Sequence, residues 1–141
     1  MKTYDIVLSI AGSDPGGGAG IQADIKAISA NGAYAATAIT SVVNENTQKV
    51  YGVHNVPVDF VEGQIRAVFD DLNVKAVKIG MLYSPELAHS VARLLKEYNA
   101  QNVVLDPVMV ATSGDSLMAQ ETIDVLRSEL IPLARVITPN I

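Results

Sequence analysis

The chain has 141 residues, a formal net charge of −5, 49% hydrophobic and 5% aromatic residues, and neither tryptophan nor cysteine. That length suits one domain, and the apolar fraction exceeds what a disordered chain carries. Nucleic acid and anionic membrane are poor candidates as partners without a basic run, and the missing cysteine excludes disulfides, thiolate metal sites and a cysteine nucleophile.

The first predicted strand is DIVLSIA (5–11), which runs into GSDPGGGAG (12–20), too rich in glycine for the interior of an element. The apolar run at this end is too short for a signal peptide, and none approaches a membrane span, so the sequence reads as cytoplasmic. A helix is predicted from about Gly20 to Asn31, stopped by Gly32. On a helical wheel Ile21, Ile25 and Ile28 form its apolar stripe. Asp24 falls beside that stripe, on the flank away from Gln22 and Lys26.

AATAITSVV (35–43) is the next extended run, NENTQ (44–48) a turn, and KVYGVHNV (49–56) the return arm of a hairpin. Pro57 and Asp59 open a helix through Asp71, with Val61, Ile65 and Val68 on one face. VKAVKIG (74–80) alternates lysine with apolar residues, the pattern of a strand near a sheet edge. SPELAHSVARLLKEY (84–98) is a helix with Ser84 as N-cap and Pro85 at its first position. A buried strand NVVLDP (102–107), a helix MAQETIDVLRSELIP (118–132) and a final strand RVITPN (135–140) complete the order.

Strands separated by helices imply right-handed crossovers. The expected fold is α/β: a mostly parallel sheet with helices on both faces, and a small β-hairpin flap over about 36–55. The aliphatic composition suits such a buried sheet. Ligands of these folds bind outside the carboxyl ends of the strands. Here those ends carry Gly12 with Asp14, Gly80 with Met81, Asp106 with Pro107 and Val108, and Pro139 with Asn140. Topology alone places all four clusters on one rim, which is the predicted site.

Each residue also has a plainer reading. The glycine cluster fits neither G-x-G-x-x-G nor G-x-x-x-x-G-K-[ST], so by itself it is a wide strand-to-helix turn. Asp24 near a helix start gains about 0.3–1 kcal/mol from the macrodipole without any ligand. Glu45 is by default a hairpin-tip carboxylate in water, Met81 a core residue and Asp106-Pro107 a turn. His54 and His89 have no metal-spaced partner and read as structural.

Taken together, AGSDPGGGAGIQADIKAISANGAYAATAITSVVNENT, KIGML, VVLDPVM…SGD and ITPN resemble the hydroxymethylpyrimidine/phosphomethylpyrimidine kinases of thiamine biosynthesis, in the ribokinase-like superfamily. The resemblance covers essentially the whole chain. It implies an enzyme that uses ATP and Mg2+ to phosphorylate the hydroxymethyl group of 4-amino-5-hydroxymethyl-2-methylpyrimidine, and then its monophosphate. It implies that Gly12, Asp24, Glu45, Met81 and Val108 surround the pyrimidine. Glu45 would face the amino group from the flap, and Met81 and Val108 would form apolar walls. Asp106 and Asn140 match positions near the phosphates and magnesium. On this reading the glycines let main chain pass close to a small ring and its hydroxymethyl arm.

The family pattern continues past Ile141 with the rest of an N-x-x-E element, a glycine-rich anion hole and the catalytic base. Residues 1–141 are therefore expected to be the N-terminal, substrate-binding part of a ribokinase-like domain. Alone it would be inactive, and the edge of its last strand would pair with the complementary half or with a second copy in a homo-oligomer. The alternatives are a pyridoxal-type kinase of the same superfamily and a non-catalytic pyrimidine-binding module. A dinucleotide-binding oxidoreductase domain ranks below both, because its glycine spacing is wrong and no acidic residue closes the second strand.

Overall fold

Residues 1, 3–108 and 118–140 are described by a computed structural model; Met109, Ile141 and the SGD segment (113–115) lie outside the described residues. In chain order the elements are β1 (Ile6–Ala11), α1 (Gly20–Ala30), β2 (Tyr34–Ile39), β3 (Ser41–Glu45), β4 (Val50–Asn55), α2 (Val58–Asp71), β5 (Val74–Ile79), α3 (Pro85–Glu97), β6 (Val103–Leu105), α4 (Gln120–Val125) and β7 (Val136–Ile137). A five-stranded sheet has the order β2-β1-β5-β6-β7, and all its pairings are parallel. The strand ends singled out in the sequence therefore share one rim.

The chain steps from β1 to β2 on one side, and from there always toward the other. Right-handed crossovers convert that single reversal into two covered faces, with α1 on one and α2, α3 and α4 on the other. The main core lies under the second group. Leu8 and Ile10, Val77 and Ile79, and Val103 and Leu105 pack there against Val61, Ile65, Leu87, Val91, Leu94 and Leu130. Because side chains alternate along a strand, Ser9 and its register partner Lys78 point to the α1 face. No helix among the described residues is long and apolar enough to cross a membrane.

The Ser84 cap forms as the sequence predicts: its hydroxyl accepts from Leu87 N at 3.1 Å, with Pro85 at the first turn. Ser84→Ala is expected to lower stability by about 1 kcal/mol, read as a lower urea midpoint at unchanged slope.

Five details differ from the sequence reading. VKAVKIG is the central strand, between β1 and β6, not an edge. Lys75 sits where the β1–β5 register shifts, and Lys78 is ion-paired on the α1 face, so the alternation reflects two dissimilar faces. The run 35–43 divides at Thr40 between two sheets. Gln64 closes the open edge of β2, accepting from Ile39 N at 2.8 Å and donating to Ile39 O at 3.0 Å. The flap proper is then Ser41–Glu45 paired antiparallel with Val50–Asn55. After α4 the helix widens over Leu126–Leu130 and tightens over Ile131–Leu133, where Pro132 ends it. The last strand shrinks to Val136–Ile137, because its neighbour β6 offers only three residues. On α1, Ile21 is buried but Ile25 is exposed, since that helix packs chiefly on β1 and β2.

Candidate functional site

The rim begins with the glycine-rich turn between β1 and α1. Asp14 organises it: its carboxylate accepts from the N–H groups of Gly16, Gly18 and Ala19 at 2.8, 2.9 and 2.9 Å. Burial pushes the Asp14 carboxyl up, but the N–H groups of Gly16, Ala19, Gly18 and Gly17 outweigh it and hold it below the usual aspartate value. Amides of the turn before α1 are thus engaged internally, so this turn is not an empty phosphate cradle. Gly20 has φ +58° and lies directly against the Gly12 carbonyl, which also accepts from Ile21 N at 2.9 Å. The sequence leaves the cluster open between a wide turn and, through the resemblance, room for a ligand; Gly16, Gly18 and Gly20 serve the turn itself. Gly12 is different. A Cβ there would make ordinary contacts, 3.5 Å from Ser41 O and 3.9 Å from Met81 Cε. The fold does not require a glycine at that place.

Along the sheet, Asp24 on α1 reaches down to β1 and β5. Ser9 Oγ donates to Asp24 Oδ2 at 2.6 Å, and Lys78 Nζ lies 3.0 Å from the same oxygen. Lys78 Nζ is also 4.0 Å from Asp106 Oδ2, and Val108 N donates to the Asp106 carbonyl at 3.0 Å. One lysine therefore links the substrate-side carboxylate expected from the sequence to the phosphate-side one.

The hairpin is pinned to this rim at its root. Ser13 N donates to Ser41 O, and Val43 N donates to Ser13 Oγ, both at 2.9 Å. Thr40 Oγ1 donates to Met81 O at 3.2 Å, and the Tyr83 hydroxyl to Val56 O at 2.5 Å. Glu45 ends β3, before a turn in which Asn46 Oδ1 accepts from Gln48 N and Lys49 N, each at 3.0 Å. Desolvation first, and the Asp14 charge second, push the Glu45 carboxyl above the usual glutamate value. Flap and glycine turn thus face each other closely enough to interact electrostatically.

Gly12 abuts Met81, Glu45 feels Asp14, and Asp24, Asp106 and Val108 are joined through Lys78 and the backbone. Asn140, three residues past β7, is exposed at the same edge. Ser9, Ser13, Thr40 and Lys78 escaped the sequence reading. A serine inside an apolar strand and a lysine late in another were the only available signals. His89 has Nδ1 2.7 Å from Glu129 Oε2, and His54 is exposed on the hairpin, paired with Val42. An open groove of about 330 Å³ lies elsewhere, lined by Val58, Asp59, Glu62, Glu86 and Ser90. Its Glu62 already accepts from Ser90 and Arg93.

Among the described residues no group of three or more His, Cys, Asp or Glu side chains is placed to hold a metal ion. Magnesium commonly takes only one or two carboxylates and completes its shell with water and substrate phosphates. The half-buried Asp106 fits that limited role.

A parallel sheet with carboxylates and a glycine turn on its carboxyl-end rim, and a hairpin rooted beside it, defines this chain as ribokinase-like. The family model for phosphomethylpyrimidine kinase matches residues 14–141, and the chain belongs to that family. It is 48% identical over 134 residues to the hydroxymethylpyrimidine/phosphomethylpyrimidine kinase of Escherichia coli K12, across 95% of this chain and 50% of that protein. The crystal structure of phosphomethylpyrimidine kinase from Clostridium difficile 630 superposes with a TM-score of 0.92 at 47% identity, covering 97% of this chain and 59% of that one. An ADP complex of Bacillus subtilis pyridoxal kinase superposes with a TM-score of 0.87 at 37% identity, covering 98% and 51%. The chain spans about half the length of the curated relatives it matches.

Proposed function

We propose that this chain provides the pyrimidine-binding part of an ATP-dependent kinase of thiamine biosynthesis, acting on 4-amino-5-hydroxymethyl-2-methylpyrimidine and its monophosphate. The observation that carries the reading is the contact of Gly12 with Met81 on a rim where Lys78 ties Asp24 to Asp106, with the Glu45 flap anchored at the same glycine turn. An aminopyrimidine offers an N–H donor edge, and carboxylates accept from it strongly where water is thinned out. Met81 and Val108 supply apolar contact for the ring. In the reaction the hydroxymethyl oxygen gives up its proton, ultimately to solvent, and attacks the γ-phosphorus of ATP; the bond to the β,γ-bridging oxygen breaks, and ADP leaves with that electron pair. Such transfers rest on positioning and charge neutralisation. Asp106 and Asn140 would serve the phosphate side, with Mg2+, when bound, neutralising phosphate charge. The open edge of β7, with Val136 and Ile137 exposed, is where a complementary or second chain would pair.

The likeness to a pyridoxal kinase supports one second reading, a pyridoxal-type activity. Calorimetry of the protein with each compound separates the two. The pyrimidine is expected to bind and pyridoxal to bind more weakly; the reverse order establishes the second reading, and no heat with either overturns both. Gly12→Ala sharpens the test. Its Cβ is tolerated by the fold but enters the space of the ring, so an unchanged melting temperature with about tenfold weaker pyrimidine binding is expected.

A further inference from the structure

Lys78 occupies the rim end of the central strand, in register with Ser9 on one side and Val104 on the other. An ammonium on that sheet face needs partners, since burying an unpaired charge is costly. Its side chain keeps 24% exposure and that of Asp24 keeps 16%, so the pair is shielded but not sealed. Lys78 Nζ at 3.0 Å and Ser9 Oγ at 2.6 Å converge on one oxygen of Asp24, Oδ2. Among the described residues no hydrogen bond is made to the other, Oδ1. Gly80 keeps room for this arrangement: a Cβ there would lie 3.2 Å from Lys78 Nζ and 2.9 Å from Ala11 Cβ.

We propose that Lys78 is a positioning residue for the substrate ring. It fixes Asp24 by one oxygen, leaves the second to accept from a donor on the bound pyrimidine, and ties that carboxylate to Asp106 on the phosphate side. The inference rests on the pyrimidine reading above. Two carboxylates share this single ammonium, so without it Asp24 is repelled by Asp106 and turns away, and its second oxygen no longer faces the ring.

The test is a double-mutant cycle on pyrimidine affinity with K78M, D24N and the double variant, each checked by thermal melting. Each single change is expected to raise Kd about tenfold, and the double variant to bind no worse than the weaker single, because contacting residues are not additive. K78R, which retains the charge, recovers part of the affinity and K78Q does not. If K78M does not fold, the K78R and K78Q pair carries the comparison against D24N. Losses that add in the double variant, or a K78M that binds as wild type does, overturn the role of Lys78 alone. A wild-type protein that binds no pyrimidine overturns the proposed function, and this role with it.

Discussion

Gly20→Ala is expected to lower the melting temperature by roughly 6–12 °C, the equivalent of about 2–3 kcal/mol in a domain of this size. Gly20 combines two demands. Its φ of +58° lies in the left-handed region, and a Cβ would fall inside the contact distance of the Gly12 carbonyl oxygen, with Gly12 C at 3.2 Å and Ser13 C at 3.3 Å. The same carbonyl accepts from Ile21 N at 2.9 Å, so the end of β1 and the start of α1 clasp each other at this point. An alanine must push them apart, and the nearest things to move are Gly12 and Ser13, of which Ser13 holds Ser41 and Val43 of the flap. Pyrimidine binding is expected to fall further than the melting temperature alone would suggest. Gly32→Ala is the internal control. Its φ is +82°, but nothing lies within 4 Å of its Cβ, so only the conformational strain of about 1 kcal/mol applies. Equal melting losses in the two variants would show that the clasp contributes nothing beyond backbone conformation.

This contrast also marks what was legible in the sequence. The rim was legible because parallel strands joined by helices must point their carboxyl ends the same way, whatever the side chains do. Ser84-Pro85-Glu86 was legible because a helix cap is decided within four residues. The break at Thr40 was not, since β-branched and small residues run on both sides of it. The group that closes the end of β2 is Gln64, 25 residues from its partner Ile39. Lys78 was hidden for a related reason. A strand with one buried face and one face beside α1 shows the same alternation as an edge strand. Its meaning depends on Asp24, 54 residues earlier in the chain. The glycine cluster was read correctly as a turn that starts a helix, but Asp14 as the acceptor for its amides could not be separated from an external anion without coordinates.

Glu45→Ala is expected to weaken pyrimidine binding roughly 10- to 100-fold, since hydrogen bonds to a charged group contribute about 1.5–3 kcal/mol. Glu45→Gln should fall between, because it keeps an acceptor of the same shape and loses the charge. The pH dependence gives the sharper result. Desolvation and Asp14 raise the Glu45 pKa, so the carboxylate takes up a proton at a higher pH than an ordinary glutamate does. Binding through the ionised form is therefore lost as pH falls through that raised value. The stability contribution of Glu45 has the opposite sign: with its folded-state pKa raised, it is present at low pH and lost as pH rises through that value. Asp14 behaves the other way, its contribution present above the unfolded pKa and lost only as pH falls through its lowered folded value. Between these two windows the fold persists while the flap loses its charge. Pyrimidine affinity of the wild type should decline there with the melting temperature maintained, and the affinity of Glu45→Gln should stay level. Two affinity curves that decline together would mean that some other group on the rim, and not the flap carboxylate, receives the proton that ends binding.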